Sequence, residues 1–437
     1  MHQYHLDRVL AHDWIDALIE EQRAGFSLDR AFYEDDAIFE RDRQRVLRNH
    51  WILAAHVSQL PKPGDYRLFD VAGESVILVR GRDGTVHSHY NVCRHRGSRV
   101  LLNPSGNAPA MTCRYHGWTY AHDGTLSAAK HMPPDFDRSK YGLKPCHVRS
   151  LEGLLFVCLA DAEAPDFDGA AEKLTPYLKL HGIAEARVAR QQVFSVNANW
   201  KLAIENYLEC YHCKVAHKEY CCVEIKADRI GDTSPAAQER YAVRNREWRT
   251  QAERLGTLLS DVGTPLPLDE GFARAQIGVA YRAPLRETHL SGTADGRPAA
   301  PLMGPFTDYD GGETALAAGA FTYMLAYNDY AVFFAFVPRD AGHCDIVCTW
   351  LVKGDAKEEQ DYDVERLTWL WTVTTMQDKA IIQSNAAGIH SASYQPGPAS
   401  LLEQDVRGFR EWYLASIGPP ARRIRPAELL GGRYFTA

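Results

Sequence analysis

The chain has 437 residues, 45% hydrophobic and 24% charged, with a formal net charge of −7. That length allows two or more domains with substantial cores, and the composition is that of an ordinary globular protein. No long basic run invites nucleic acid, and no apolar run reaches the roughly 18 residues of a transmembrane helix. Met1–Asp13 carries charges and His but no apolar segment, so no secretory signal is expected. Ten cysteines are scattered without a regular pattern. Outside one motif described below they read as reduced, mostly buried thiols of a cytoplasmic protein.

Residues 1 to 50 read as helices. Trp14, Leu18 and Ile19 lie at helical spacing, and Ala37, Ile38, Val46 and Leu47 give a second periodic segment. Tyr33-Glu34-Asp35-Asp36 is an acidic helix entry. From Trp51 the texture changes to short strands: Trp51–Ala55, Tyr66–Val71, Ser75–Val79 and Val86–Val92, with turns at Pro61–Asp65 and Arg82–Gly84. Trp118–Tyr120 is a further strand before a turn at Asp123-Gly124. The acidic, Pro-containing segment Asp161–Asp168 closes this β region.

Within it, Cys93-Arg94-His95 is followed, after a loop, by Cys113-Arg114-Tyr115-His116. Cys and His are the ligand types that transition metals prefer. Two centres fit the spacing. One is a four-ligand zinc site; the other is a two-iron cluster with two Cys on one iron and two His on the second. The mixed order, with Gly117-Trp118 after the last His, favours iron, because zinc fingers usually put both Cys in one pair and both His in the other.

The second half mixes strands and helices. A helix near Leu174–Leu180 and a strand near Gln191–Val196 precede Asn199-Trp200, which opens a helical segment, Lys201–Ala216. Residues 223 to 315 are polar, rich in Gly and Pro, and carry no readable motif. Ala318–Pro338 is a pair of aromatic-rich strands, Ile346–Val352 another strand, Tyr362–Ala387 a long helix ended by Gly388, and Phe409–Ile417 a short one.

The Lys201–Ala216 segment and the residue after it hold a second group: Glu205, Asn206, Glu209, His212 and His217. Glu209 and His212 share a helix face. His212 and His217 are five apart, about 140° around an ideal helix. They can meet one ion only if the helix bends, bulges or ends between them. On these residues alone the segment is either half of a metal site or a helix with two ordinary histidines. Glu205 has Lys201 at i−4 for a weak surface pair. A dioxygen-activating mononuclear iron is often held by two His and one carboxylate. Asp378, the sole carboxylate from Arg366 through Leu402, is either that third ligand or part of a narrow solvated stripe beside Lys379.

Cys93-Arg94-His95-Arg96-Gly97 and Cys113-Arg114-Tyr115-His116-Gly117-Trp118, followed by Asn199-Trp200-Lys201, Glu205-Asn206, Glu209, His212 and His217, resemble the catalytic α subunit of Rieske non-haem iron oxygenases. The likeness covers nearly the whole chain, in the family's order. It implies an α+β fold: a Rieske β-sandwich domain (49–165) and a catalytic domain of antiparallel sheet with flanking helices (166–437). N-terminal helices (1–48) would pack with the catalytic domain. It implies a [2Fe-2S] cluster on Cys93, His95, Cys113 and His116, and a mononuclear Fe(II) on His212, His217 and Asp378. Glu209 becomes the bridge for electrons passing from His116 of one subunit to His212 of the next in a ring-shaped trimer, with Asn206 as a further catalytic candidate.

The family's activity is expected with it: electrons from a separate NAD(P)H-dependent reductase and dioxygen hydroxylate a small organic substrate. No Gly-rich dinucleotide fingerprint follows a strand here, so nicotinamide and flavin belong to that separate protein. Arg94, Arg96, Arg99 and Arg114 surround the cluster motif, either as a basic docking face for the reductase or paired with local carboxylates. Many ring-hydroxylating members have Asp as the bridge. Glu209, in Glu209-Cys210-Tyr211-His212-Cys213, is similar instead to the carnitine and glycine betaine monooxygenase branch, and on that likeness Cys210 and Cys213 read as packing thiols and not a redox pair. The expected substrate is a quaternary ammonium or betaine-type compound, with aromatic ring hydroxylation as the alternative. The rings of Phe321, Tyr323, Tyr327 and Phe333–Phe336 suit either substrate class, or plain sheet packing. A simple electron carrier would leave the chain after residue 165 without a task, and a zinc-stabilised binding protein would be colourless.

Overall fold

The computed structural model describes residues 14–161, 163–227, 234–261 and 278–419; the expectation for Met1–Asp13 lies outside them. Two structural regions share one main core. The first is built of three small antiparallel sheets. A four-stranded sheet orders Val86–Tyr90, Glu74–Arg80, Asp65–Val71 and Ser105–Asn107. A three-stranded sheet orders Met111–Thr112, Thr119–Tyr120 and Leu126–Ala128, and a second orders Ile52–His56, Leu154–Cys158 and His147–Leu151. Alternation explains the pairing. Ile77 and Val79 turn into a core with Tyr66, Met111, Trp118 and Tyr120, while Val76 and Leu78 face the main core.

The second region is a six-stranded antiparallel sheet. Its order is Arg187–Val196, His343–Val352, Ala331–Asp340, Thr322–Ala326, Gly312–Ala318 and Gly278–Pro284. The long helix Val364–Ile389 crosses it and packs on Arg187–Val196 and on the Trp200–Tyr207 helix. Asp363 caps that long helix by accepting from Arg366 N. Gly388 lies within it, so the helix runs two residues past the expected stop, to Ile389.

Residues 223 to 315 contain a 21-residue helix, Pro235–Leu255, that hydrophobic periodicity misses because it buries only Ala237, Trp248 and Ala252. Its end signals are nonetheless in the sequence: Ser234 accepts from Ala237 N, Pro235 opens the first turn, and Gly256 closes it with φ of 68°.

The helices before residue 50 dock on the second region through buried charge. Asp42, from the helix Asp36–Arg45, accepts from Lys201 Nζ at 2.6 Å, Trp200 Nε1 at 3.1 Å and Tyr413 OH at 2.7 Å. Lys201 is fully buried and does not make the expected surface pair with Glu205. Glu205 instead receives Tyr33 OH at 3.0 Å and Arg410 Nη2 at 2.6 Å. Both carboxylates therefore tie distant segments to the helix that leads into the second histidine group.

Candidate metal centres

The two cluster loops have the same backbone construction. Cys93 N donates to Ser98 O at 2.8 Å, and Gly97 N to Cys93 O at 3.0 Å. Cys113 N donates to Trp118 O at 2.8 Å, and Gly117 N to Cys113 O at 3.0 Å. Each loop turns back through a glycine with positive φ, 76° at Gly97 and 73° at Gly117, a conformation that L side chains rarely adopt. Cys93 and Cys113 are buried at the loop bases; His95 and His116 are exposed at the tips. The two Nδ1 atoms face each other at 3.1 Å. Two imidazoles on one ion at about 2.1 Å, with bond angles between 90° and tetrahedral, would have nitrogens about 3.0–3.4 Å apart.

The surroundings hold this geometry. The Trp118 ring stacks on His95 with centroids 4.9 Å apart. Tyr120 OH lies 3.3 Å from Cys93 Sγ and accepts from Arg94 N at 3.0 Å. The hydroxyl proton therefore points to sulfur, the kind of hydrogen bond that tunes an iron–sulfur potential. In the sequence Tyr120 is a strand residue, and nothing local marks this contact. Arg94, Arg96, Arg99 and Arg114 are exposed, and among the described residues none is in an ion pair.

The second group is assembled where a helix ends. Asn199 caps Trp200–Tyr207, and the chain then turns before a four-residue helix, Cys213–Ala216. His212 and His217 are the caps at its two ends. The break replaces the continuous helix expected over Lys201–Ala216, and it removes the angular conflict between the two rings. Their Nε2 atoms approach to 3.0 Å. Asp378 Oδ1, from the long helix, lies 3.3 Å from His212 Nε2 and 3.0 Å from His217 Nε2. Three ligands at right angles on an ion at about 2.1 Å would be about 3 Å apart.

The hydrogen bonds on the far side of each ring set its tautomer. His212 Nδ1 donates to Glu209 Oε1 at 2.6 Å, and His217 Nδ1 to Gln377 Oε1 at 2.9 Å. Gln377 is oriented in turn by donating to Glu219 Oε2 at 2.8 Å. In the neutral rings both Nε2 atoms then present lone pairs toward Asp378 Oδ1, which is buried and makes no hydrogen bond. Three electron-rich atoms converging on one point fit a bound cation. Burial lowers the His212 pKa, but Asp378 and Glu209 outweigh it and hold it at about 9, so a metal must displace a proton there. Asn206 makes no side-chain hydrogen bond to this group among the described residues. Gln377 and Glu219 were missed in the sequence, although Gln377 directly precedes Asp378.

Known proteins match this arrangement. Residues 50–150 match the Rieske [2Fe-2S] domain family, and residues 183–259 and 294–418 match the ring hydroxylating alpha subunit catalytic domain. The glycine betaine monooxygenase oxygenase subunit of Pseudomonas aeruginosa (strain UCBPP-PA14) is 33% identical over 420 residues, covering 93% of this chain and 94% of the relative. The chain belongs to the Rieske non-haem iron oxygenases. The carnitine monooxygenase oxygenase subunit of Escherichia coli (strain K12) is 34% identical over 215 residues, 48% of this chain and 56% of that one. A solved quaternary ammonium Rieske monooxygenase, described with inter-subunit electron transfer, has the same fold: TM-score 0.68 at 20% identity, covering 91% of this chain and 97% of that one. The oxygenase therefore uses a Rieske [2Fe-2S] cluster and a mononuclear iron, and takes its electrons from a separate reductase.

One expectation needs correction. Cys210 and Cys213 are joined by a disulfide and are not two packing thiols. Their Cα atoms lie 4.9 Å apart, within the span that a disulfide bridges.

Proposed function

We propose that this oxygenase hydroxylates a quaternary ammonium or betaine-type substrate, at an N-methyl or a neighbouring carbon. In this reading the chain divides into 1–48, 49–165 and 166–437. Cys93, His95, Cys113 and His116 hold the cluster, and His212, His217 and Asp378 hold the iron. When bound, the cluster stores an electron and the iron activates dioxygen. The protein's own part is to orient both imidazoles through Glu209 and Gln377. Hydroxylating an N-methyl consumes dioxygen, two electrons and two protons, and releases water. The carbinolamine then breaks its C–N bond to give formaldehyde and the demethylated amine.

The observation that carries this reading is Glu209 bound to His212 Nδ1 at 2.6 Å, in a chain whose full-length relatives include glycine betaine monooxygenase subunits. Tyr211 beside it is 53% exposed and Val215 93%. At the cluster, Tyr115 next to His116 is 58% exposed. These exposed side chains, at each of the two centres, support a homotrimer in which His116 of one subunit meets Glu209 of the next. The exposed arginines around the cluster, in no ion pair among the described residues, support docking of an acidic reductase domain. The Tyr220 ring, 6.3 Å from the His217 ring and 5.9 Å from that of Trp371, gives the site an aromatic wall that attracts quaternary ammonium.

The same wall suits an aromatic substrate, and formaldehyde separates the two. With a matched reductase, oxygen uptake is followed over glycine betaine, carnitine, choline and aromatic acids. Uptake coupled to formaldehyde with a betaine is expected. Uptake confined to aromatic acids, without formaldehyde, sinks the assignment. Glu209→Gln should keep both metals and lose about 100-fold or more in coupled turnover; wild-type turnover in that variant would remove the bridge.

A further inference from the structure

Beside the aromatic wall of the mononuclear site lies a buried group of charges: Glu224, Glu313 and Lys226. The helix Lys218–Val223 starts after His217 and is capped at its end by Glu224. Glu224 N donates to Tyr220 O at 2.8 Å, so the two residues lie one turn apart on the same face. The Tyr220 ring is 6.3 Å from the His217 ring and 6.0 Å from Lys226 Nζ. Lys226 Nζ donates to Glu313 Oε1, and Tyr327 OH to Glu224 Oε1 at 3.0 Å. The metal ligand is thus linked through one ring to two carboxylates and one ammonium. Glu224 and Glu313 are both 0% exposed. Their Oε2 atoms are buried, and among the described residues no donor reaches either. One proton between them supplies the donor that both lack, because protonated Glu224 hydrogen-bonds Glu313. Burial, and then the charge of Glu313, raise the Glu224 pKa, and Lys226 does not outweigh them. Tyr207, Tyr220, Tyr281, Tyr327 and Tyr330 stand around the three charges. The Arg286 guanidinium packs on the same helix but donates to Cys221 O at 2.6 Å.

A quaternary ammonium at this wall carries a permanent charge. It has no N–H to donate and no proton to lose, so in a site poor in water it needs an anion. Asp378 faces the metal position, and Glu209 is taken by His212. We propose that Glu224 is the counter-ion that selects a cationic substrate, and that the bound cation displaces the proton Glu224 shares with Glu313. This rests on the reading of the substrate as a quaternary ammonium compound. The proton leaves to solvent and the Glu224 carboxylate stays. The group of two acids and one ammonium passes from neutral to a single negative charge beside the Tyr220 ring. Charge is conserved, since one cation enters as one proton departs. A substrate of the same shape without the positive charge leaves the proton in place and gains nothing from the acid.

Anaerobic titration of the iron-loaded holoenzyme tests this. Glycine betaine is compared with tert-butylacetate, which has the same shape with carbon in place of the charged nitrogen. Calorimetry in buffers of different ionisation enthalpy counts the protons released. Near neutral pH the wild type should release about one proton on binding betaine and none on binding tert-butylacetate. It should prefer betaine at least about 10-fold. Because the proton competes with the cation, betaine affinity should fall as pH falls, by up to about 10-fold per pH unit. Glu224→Gln keeps the shape and cannot ionise. It should bind betaine at least about 10-fold more weakly and release no proton, with cluster absorbance and iron content unchanged. The wild-type proton count decides the matter even where that variant fails to fold. Betaine bound without proton release, or with equal release in Glu224→Gln, overturns the counter-ion while the substrate reading survives. A wild type that binds aromatic acids but no betaine, carnitine or choline overturns the substrate reading and the counter-ion with it.

Discussion

The cluster loops carry their own scaffolding, whereas the mononuclear site borrows most of its own. Cys93–Ser98 and Cys113–Trp118 repeat one set of backbone bonds and one glycine turn, so each loop positions its own Cys and His. The triad at His212, His217 and Asp378 depends on a helix that ends early, a cross-linked turn, and a second helix about 160 residues further on. The cluster side also leaves its histidines exposed, while His217 and Asp378 are mostly covered. An exposed imidazole suits transfer of an electron to a partner. A half-covered triad suits chemistry that must exclude water.

This contrast predicts that the centres fail independently. Cys113→Ser should abolish the red-brown absorbance and all turnover, leaving about one iron per chain; a retained reduced-state electron-spin signal would place the cluster elsewhere. Asp378→Ala should do the reverse. It should keep the cluster spectrum, leave about two irons, and reduce oxygenation to background. Three irons in that variant would remove Asp378 from the triad.

Smaller effects should follow from the groups behind each centre. Gln377→Leu leaves His217 Nδ1 without its acceptor, so the mononuclear metal should bind about 10- to 100-fold more weakly, read by chelator competition with the cluster intact. Equal affinity would mean that Glu209 and the disulfide alone orient the site. Tyr120→Phe removes the hydroxyl from Cys93 Sγ and should lower the cluster potential while both metals stay bound. Film voltammetry reads that shift, and an unchanged potential would show the 3.3 Å contact to be idle.

Legibility in the sequence follows the same division. The cluster motif is compact, Cys93 to His116, because its ligands and its turn glycines belong to the same loops. The two-histidine group was visible as residues, but its geometry was not: at helical spacing His212 and His217 diverge, and only the helix break reconciles them. Asp378 could have been placed by periodicity, since Leu367, Trp371, Thr374 and Ile382 form a buried stripe on its face. Gln377 and Glu219 had no such signal, because a polar residue on a helix flank looks the same whether it meets water or an imidazole.

The sequence alone determined the chemistry on offer: Cys and His pairs on glycine turns, two histidines near a carboxylate, and strands alternating around them. Those are local properties, written in ligand type, turn residues and period. Only the tertiary structure decided which carboxylate does what. Glu205 was drawn toward Lys201 by helical spacing, yet burial pairs Lys201 with Asp42 and Glu205 with Tyr33 and Arg410. A buried charge takes the partner that packing brings to it, and that partner here lies more than 150 residues away.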